Sequence, residues 1–256
     1  MSDLDFYASQ SELYDLAFSW DVEGEVAWLL ERFGAGTKSV LEPACGNGRL
    51  FSGFARRGVA TAGVDLSAGM LAKAAARTPS ALLVQADIRA FDLGRRFDGA
   101  FCPVNSLGYL HTAEDMARHL ACVARHLVPG GKYLVQLGLR NLDDFRPLAV
   151  DTTSQWDVET PRGRLRTTWK SGAFDRTTRI ETQISRFEWL TGRDAGRVVE
   201  FAHAIRVWDW TSWNAAVAAS PLEEVAAWDG DRAERPALDV GPALEGKLLA
   251  WHELEI

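Results

Sequence analysis

The sequence predicts an α/β fold: a parallel sheet with helices on its faces, interrupted towards the C-terminal end by an antiparallel β insertion. Three observations carry that expectation. Short β-rich runs alternate with helical patterns up to about residue 150, which is the signature of a parallel sheet covered by helices. Beyond it the pattern changes to period-two runs rich in threonine, arginine and tryptophan, as expected of an antiparallel sheet with one wet face. A short helical pattern and two strand-like runs then close the chain, and we read them as rejoining the first sheet.

In order, the strand "KSVLEP" leads into the helix "GRLFSGFARRG", the strand "ATAGVDL" into the helix "SAGMLAKAAAR", and two strands follow, "ALLVQAD" and "FDGAFCPV". The longer helix "TAEDMARHLACVARHLV" carries Met116, Leu120, Val123 and Leu127 on one face, the spacing of an amphipathic helix. Ser67 and Thr112 stand where helix N-caps are expected. "LVPGGK" ends the long helix, because proline cannot continue it and the glycines permit a tight turn; the strand "GKYLVQLG" follows. The insertion reads as "RGRLRTTWK", "TTRIETQISRFEWL" and "RVVEFAHAIRVWDW", and the end as the helix "TSWNAAVAAS" and the strands "LEEVAAW" and "KLLAWHELEI".

Composition bounds the partners. With 256 residues, 47% of them hydrophobic and 25% charged, the chain can bury a full core. No apolar run reaches the roughly 18 residues that span a bilayer, and the N-terminus "MSDLDFYASQ" is acidic where a secretory signal is basic and then apolar. The expectation is a cytoplasmic protein without a membrane partner. A net charge of -7 argues against binding to nucleic acid, whose affinity rests on clustered lysine and arginine. Cys45, Cys102 and Cys122 show no CxxC spacing and fit neither a disulfide framework nor a zinc site; no metal is expected.

The residues that point to chemistry lie at strand ends, where open α/β sheets bind ligands. Gly46 and Gly48 in "EPACGNGRL" occupy the first strand-to-helix turn. Phe51 stands where a dinucleotide loop has its third glycine, and no lysine with serine or threonine follows to make a phosphate-binding loop. Glu42 at the end of the first strand would repel a pyrophosphate but suits a cationic amine. Asp65 ends the second strand about 20 residues on, where a carboxylate accepts hydrogen bonds from ribose hydroxyls. Asp87 ends the third, placed for an exocyclic amine such as that of adenine, with Ile88 beside it as apolar surface. Three acids without a phosphate cradle describe an adenosine bearing a cationic amino-acid tail.

These segments, "VLEPACGNGRL", "GVDLSAGML", "QADIRAF", "FDGAFCPVNSLGYL" and "LVPGGKYLVQL", resemble the successive motifs of class I S-adenosylmethionine-dependent methyltransferases, over residues 1 to about 140 and the closing strands. Within that class the chain is most similar to small-molecule members such as the amino-sugar N,N-dimethyltransferases. The resemblance implies a Rossmann-like, doubly wound, seven-stranded sheet with an antiparallel β lid before the last helix and strands. It divides the chain into a cofactor-binding core with its N-terminal segment (1–140), the lid (141–210) and the closing elements (211–256). It implies S-adenosyl-L-methionine as cofactor: Ala44, Gly46, Asn47 and Gly48 along the methionine and ribose, Asp65 on the ribose, Leu66 and Met70 flanking ribose or adenine, Asp87 with Ile88 on the adenine, and Pro103 and Asn105 beside the sulfonium. Tyr7 or Tyr14 would close over the methionine tail, and Tyr14 and His111 are the candidate catalytic groups. Asn47 stands where threonine or serine is commoner in the family.

The expected reaction is methyl transfer to a nitrogen or oxygen of a small-molecule acceptor, driven mainly by proximity and orientation. Solvent or His111 would take a proton where one must be removed, and a homodimer is an assembly open to such a chain. The rival readings are a nucleic-acid methyltransferase and a non-catalytic cofactor-binding protein. Against the first stand the acidic charge and "CPVNS", where base-amine methylating members carry an Asn/Asp-Pro-Pro-aromatic motif. In the lid, the run of arginines reads as a solvated strand face, His203 as a packing residue, and one or two tryptophans as the roof of a pocket for an amine or aromatic acceptor.

Overall fold

The computed structural model of the chain describes residue 7 and residues 10–142, 154–230, 232–245 and 249–256. Phe6 of the N-terminal segment and residues 247–248 of the expected closing strand lie outside the described residues.

The fifth strand leaves its helix sooner than its sequence pattern suggests, and the reason is local. The helix α5 (Ala113–Arg125) ends before His126, and β5 runs from Leu127 to Leu137. Pro129 disfavours a helical Val128 and Gly130 takes a left-handed φ of 72°, so Leu127 pairs with Phe97 of the neighbouring strand instead of extending the helix. Leu127 is nevertheless fully buried, as its place in the apolar series requires.

The remaining core elements are α1 (Ser11–Ala17), α2 (Glu23–Phe33), β1 (Ser39–Pro43), α3 (Phe51–Arg56), β2 (Ala60–Asp65), α4 (Ala68–Arg77), β3 (Leu82–Gln85) and β4 (Phe97–Cys102), with α5 spanning Ala113–Arg125. Side-chain caps fix two helix starts: Ser67 accepts a hydrogen bond from the Met70 amide at 3.3 Å and Thr112 one from the Asp115 amide at 3.0 Å. Every residue of β1 is buried, as a central strand covered on both faces must be. After the four strands β6 (Ser154–Thr160), β7 (Gly163–Asp175), β8 (Ile180–Trp189) and β9 (Val198–Arg206) come α6 (Trp210–Ala218), β10 (Glu223–Asp229), β11 (Ala237–Leu238) and β12 (Ala250–Glu255). Asp209 starts α6 through a capping box with Ser212.

The central sheet has the order β11-β10-β12-β5-β4-β1-β2-β3. The strands from β5 to β3 are parallel, while β12, β10 and β11 join antiparallel. This is the Rossmann-like sheet, extended by the two-residue edge strand β11. Apolar clusters fill both faces: Met116, Leu120 and Val123 of α5 with Trp208 and Trp213 on one, and Val26, Leu29, Phe51, Phe54 and Trp251 on the other.

Strands β6 to β9 form a separate antiparallel sheet in sequence order. Its inner face carries Leu165, Phe187, Trp189 and Phe201, which enclose Leu13, Ala17 and Phe18 from α1. On the outer face Arg164 and Arg166 pair with Asp157, and Arg186 pairs with Glu188 and Glu200. The arginines thus form a charge-balanced face.

Candidate active site

Strand order reverses between β1 and β4, and the loops leaving the carboxyl ends of β1, β2 and β4 meet there. The β1 loop is held in an unusual path: Ala44, Gly46 and Gly48 all have positive φ, at 56°, 51° and 61°. A Cβ on Gly48 would lie 2.7 Å from Phe51 Cδ2 and 3.0 Å from the Ala74 Cβ, and one on Gly46 would lie 3.1 Å from Met70 Cε. The bare backbone is therefore demanded first by the protein's own helices α3 and α4, which close against the turn.

Asp65 fastens the turn to β2. Its Oδ2 accepts the Gly46 N–H at 2.8 Å and its Oδ1 the Ser67 N–H at 2.8 Å. Burial pushes the carboxyl up, and the backbone N–H groups oppose that by favouring its charged form. Beside it Glu42 is 4% exposed, and its Oε2 is buried without a hydrogen-bond partner. Burial drives the Glu42 carboxyl well above the usual range; Arg49 offsets part of this, and Glu25 and Asp65 add to it. Arg49 itself is held by a two-pronged ion pair to Glu25 at 2.8 and 3.1 Å. A buried carboxyl with an unsatisfied oxygen, next to a second carboxyl, is an arrangement that a cation brought by a ligand can satisfy.

Tyr14 of α1 faces the same acids. Its hydroxyl is pushed up to about 12, foremost by burial, with Asp65 and Glu42 contributing. Its ring stacks on Phe18 at 4.2 Å and meets Tyr7 edge-on at 5.4 Å. Asn47 turns away from the ligand side: its Nδ2 donates to Asp15 Oδ1 at 2.9 Å, and Arg77 binds both Asp15 at 2.6 Å and the Asn47 carbonyl at 3.1 Å. Asn47 thus anchors α1 to the turn.

Leu66 is 50% exposed at the end of β2, while Met70 is buried beneath the loop. The Asp87 carboxylate is gripped by Arg89, with Nε at 2.9 Å and Nη2 at 2.5 Å, and Arg89 reaches on to Asp115 at 2.8 Å. That grip holds the Asp87 carboxyl below its usual range. Ile88 is half-buried, and its carbonyl accepts from His119 Nδ1 at 2.9 Å. After β4, Pro103 is buried, and Val104 and Asn105 take consecutive left-handed conformations at φ 58° and 56°. Such strain persists only where neighbours over-determine it. Gln136 does so, receiving the Val104 N–H on Oε1 at 2.7 Å and the Asn105 N–H on its carbonyl at 3.2 Å.

Between this floor and the inner face of the β6–β9 sheet lies a cavity of about 360 Å³. Tyr7, Tyr14, Asn105, Tyr109, Trp156 and Trp169 are among its walls. Trp156 and Trp169 of that sheet stand in its wall together with Trp20. Of the expected site residues Tyr14 and Asn105 line the cavity, whereas Glu42, Asp65, Asp87 and His111 do not; His111 is exposed, its Nε2 bonds the Ala204 carbonyl at 2.8 Å and its own carbonyl accepts from Arg206. It links the loop after β4 to β9.

Sequence reasoning passed over Tyr109, Arg140, Glu181 and Gln183. Trp169 Nε1 donates to Gln183 at 2.8 Å, Gln183 donates to the fully buried Glu181 at 2.8 Å, and Glu181 pairs with Arg140 at 3.3 Å. The signal was a polar residue at alternate positions in the first half of β8, Glu181, Gln183 and Ser185, before the apolar Phe187 and Trp189.

Comparison with known proteins agrees with this geometry. A family model described as a methyltransferase domain matches residues 40–131. The chain is 36% identical over 132 residues to dTDP-3-amino-3,4,6-trideoxy-alpha-D-glucopyranose N,N-dimethyltransferase of Streptomyces venezuelae, covering 52% of this chain and 50% of that one. It is 33% identical over 138 residues to dTDP-3-amino-3,6-dideoxy-alpha-D-glucopyranose N,N-dimethyltransferase of Streptomyces fradiae, covering 52% and 54%. The chain thus spans about half the length of the curated relatives it matches. Among solved structures it is similar to S. venezuelae DesVI, with a TM-score of 0.71 and 25% identity over 99% of this chain and 95% of that one. It shares its fold with the S-adenosylmethionine-bound CalS10, an amino pentose methyltransferase of Micromonospora echinaspora, with a TM-score of 0.75 and 20% identity over 95% and 96%. Residues 40–131 thus match a methyltransferase-domain model, and the fold is that of these solved methyltransferases.

Proposed function

We propose that the chain transfers a methyl group from S-adenosylmethionine to the nitrogen of a small amine acceptor of the amino-sugar kind. The observation that carries this reading is Glu42, a buried acid with an unpartnered oxygen beside Asp65, because it asks for a cationic ligand group that only an amino-acid tail or sulfonium supplies at the end of β1. The relatives named above, which act on sugar amines, support the acceptor class.

When bound, S-adenosylmethionine supplies a methyl carbon already activated by its sulfonium. The chain's own residues then hold and enclose. Glu42 meets the cationic tail, and Asp65, fixed by two backbone N–H groups, takes the ribose hydroxyls. Leu66, Met70 and Ile88 cover the apolar rings, and Asp87 offers its carboxylate to the adenine amine once Arg89 shares or yields it. Pro103 and Asn105 border the reacting end, where a loop strained into one shape fixes the acceptor's approach. Tyr14 and the β6–β9 sheet cover the site and exclude water. The outer arginines of that sheet are paired with acids, which supports a small acceptor over a nucleic-acid backbone.

Calorimetric titration with S-adenosylmethionine and S-adenosylhomocysteine tests the proposal, with Asp65→Ala as control. Micromolar binding lost in the mutant, followed by methylation of an amine, is the expected result. A folded protein that binds neither compound would remove the reading.

A further inference from the structure

Facing the cavity is a chain of four hydrogen-bonding side chains contributed by three separate parts of the sequence. The Tyr7 and Tyr109 hydroxyls lie 2.8 Å apart, the Tyr109 hydroxyl lies 3.0 Å from His203 Nδ1, and His203 Nε2 lies 2.8 Å from Ser185 Oγ. Both tyrosines line the cavity, whereas His203 and Ser185 are fully buried behind them. Two further features hold the imidazole rigid. Trp169 stacks on it at 4.7 Å with planes 15° apart, and the turn carrying Tyr109 packs so closely on β9 that a Cβ on Gly108 would lie 2.6 Å from Ile205 Cγ2.

Burial alone accounts for bonds at both ring nitrogens, as His119 shows with Ile88 and Tyr133; what sets His203 apart is that one of its bonds leads through a hydroxyl to the cavity. From this geometry we infer that Tyr109 and His203 form a proton-accepting relay for the acceptor amine, with Tyr109 as the catalytic group and His203 as its positioning partner. The inference rests on the amine-methylating reading above.

An acceptor arriving as R–NH3⁺ has no lone pair for attack. Its N–H proton passes to the Tyr109 oxygen as the Tyr109 O–H proton passes to His203 Nδ1. The products are R–NH2, an intact Tyr109 hydroxyl and an imidazolium whose Nε2–H donates to Ser185 Oγ. The flat face of Trp169 favours that cation. After attack the methylated nitrogen carries its own positive charge, and His203 returns its proton to solvent before the next turnover. The neutral resting state therefore has its proton on Nε2 and a bare Nδ1, and the Tyr109 oxygen accepts from Tyr7.

Among the described residues, titratable groups facing His203 include Glu181 on β8, which is paired with Arg140, Tyr109 from the turn after β4, and Tyr7 with Tyr14 behind it.

Two measurements on the full chain test the relay. Nitrogen NMR of histidine-labelled protein, with the His203 signals assigned by their loss in His203→Gln, should show Nε2 protonated and Nδ1 bare when neutral. The Nδ1 signal should move in Tyr109→Phe. A neutral form protonated on Nδ1 would overturn the relay, whatever the acceptor. In turnover with S-adenosylmethionine and dTDP-3-amino-3,4,6-trideoxyglucose, Tyr109→Phe should lower kcat/KM at pH 7.5 by about 100-fold, and the deficit should shrink as rising pH deprotonates the amine in bulk. Parallel pH profiles for wild type and mutant would also refute the relay. Binding of S-adenosylhomocysteine separates the two ideas: both variants should bind it as the wild type does, and failure of the wild type to bind it would sink the methyltransferase reading while the NMR result still judges the relay.

Discussion

Replacing Glu42 by glutamine separates what the pocket costs the free protein from what it contributes to binding. In the free chain burial raises the Glu42 carboxyl far above its ordinary value, so the folded state holds that proton more tightly than the unfolded chain. The contribution is fully present below the unfolded pKa of about 4.3 and is lost as pH rises through the folded value. Free wild type therefore loses stability across that window, and Glu42→Gln does not. A cationic ligand reverses the balance, because the ionised carboxylate is then paired and its proton is expelled. Removing one partner of such a buried pair costs about 2–4 kcal/mol, roughly 30- to 700-fold in Kd. Calorimetry in phosphate and in Tris buffer, whose ionisation enthalpies differ, counts the protons. We expect release of up to one proton per S-adenosylmethionine bound to wild type, and less in the mutant. Equal weakening towards S-adenosylmethionine and S-adenosylhomocysteine would assign the contact to their shared amino group; weakening of the first alone would assign it to the sulfonium. A mutant with wild-type affinity and proton count would refute the reasoning.

Three further outcomes follow from the packing. Gly48→Ala should lower the melting temperature of the ligand-free protein, because the left-handed backbone costs about 1–2 kcal/mol and the clash with Phe51 and Ala74 about 1–3 kcal/mol; together they predict a fall of roughly 5–15 °C, and an unchanged melting temperature would mean that only the ligand needs the glycine. Asp15→Ala should free α1 from Asn47 and Arg77, seen as faster amide exchange over residues 11–17 and about a fivefold loss of cofactor affinity, near 1 kcal/mol; unaltered exchange would show that the apolar face alone holds the helix. The three cysteines are buried, with Cys45 pushed well up and Cys102 up to about 12 by burial, so a thiol reagent at pH 8 should leave the native protein unlabelled and label all three on unfolding.

What could be read in the sequence was whatever is decided locally. The apolar run of β1, the caps Ser67 and Thr112, and the alternation of β7 to β9 each follow from residues within a few positions of one another. The acids at the ends of β1, β2 and β3 were legible because a parallel sheet brings successive strand ends together. What escaped depends on partners far along the chain. Gly48 is bare for Ala74 as well as for Phe51, Asn47 looks back to Asp15, and Arg89 occupies Asp87, none of which a loop motif announces. His203 alternates inward on its strand whether it packs or relays a proton, so periodicity could not choose. His111 drew attention as a lone histidine in a loop, yet its bond to Ala204 makes it a fastening between that loop and β9.

The short helix α1 is gripped twice: from below by Asn47 of the β1 loop and Arg77 of α4, and from above by the inner face of the β6–β9 sheet, where Trp156 also donates to the Ala17 carbonyl at 2.7 Å. Anything that settles the loop also settles the wall against which an acceptor leans. The two ligands should accordingly reinforce each other by the same factor in either direction.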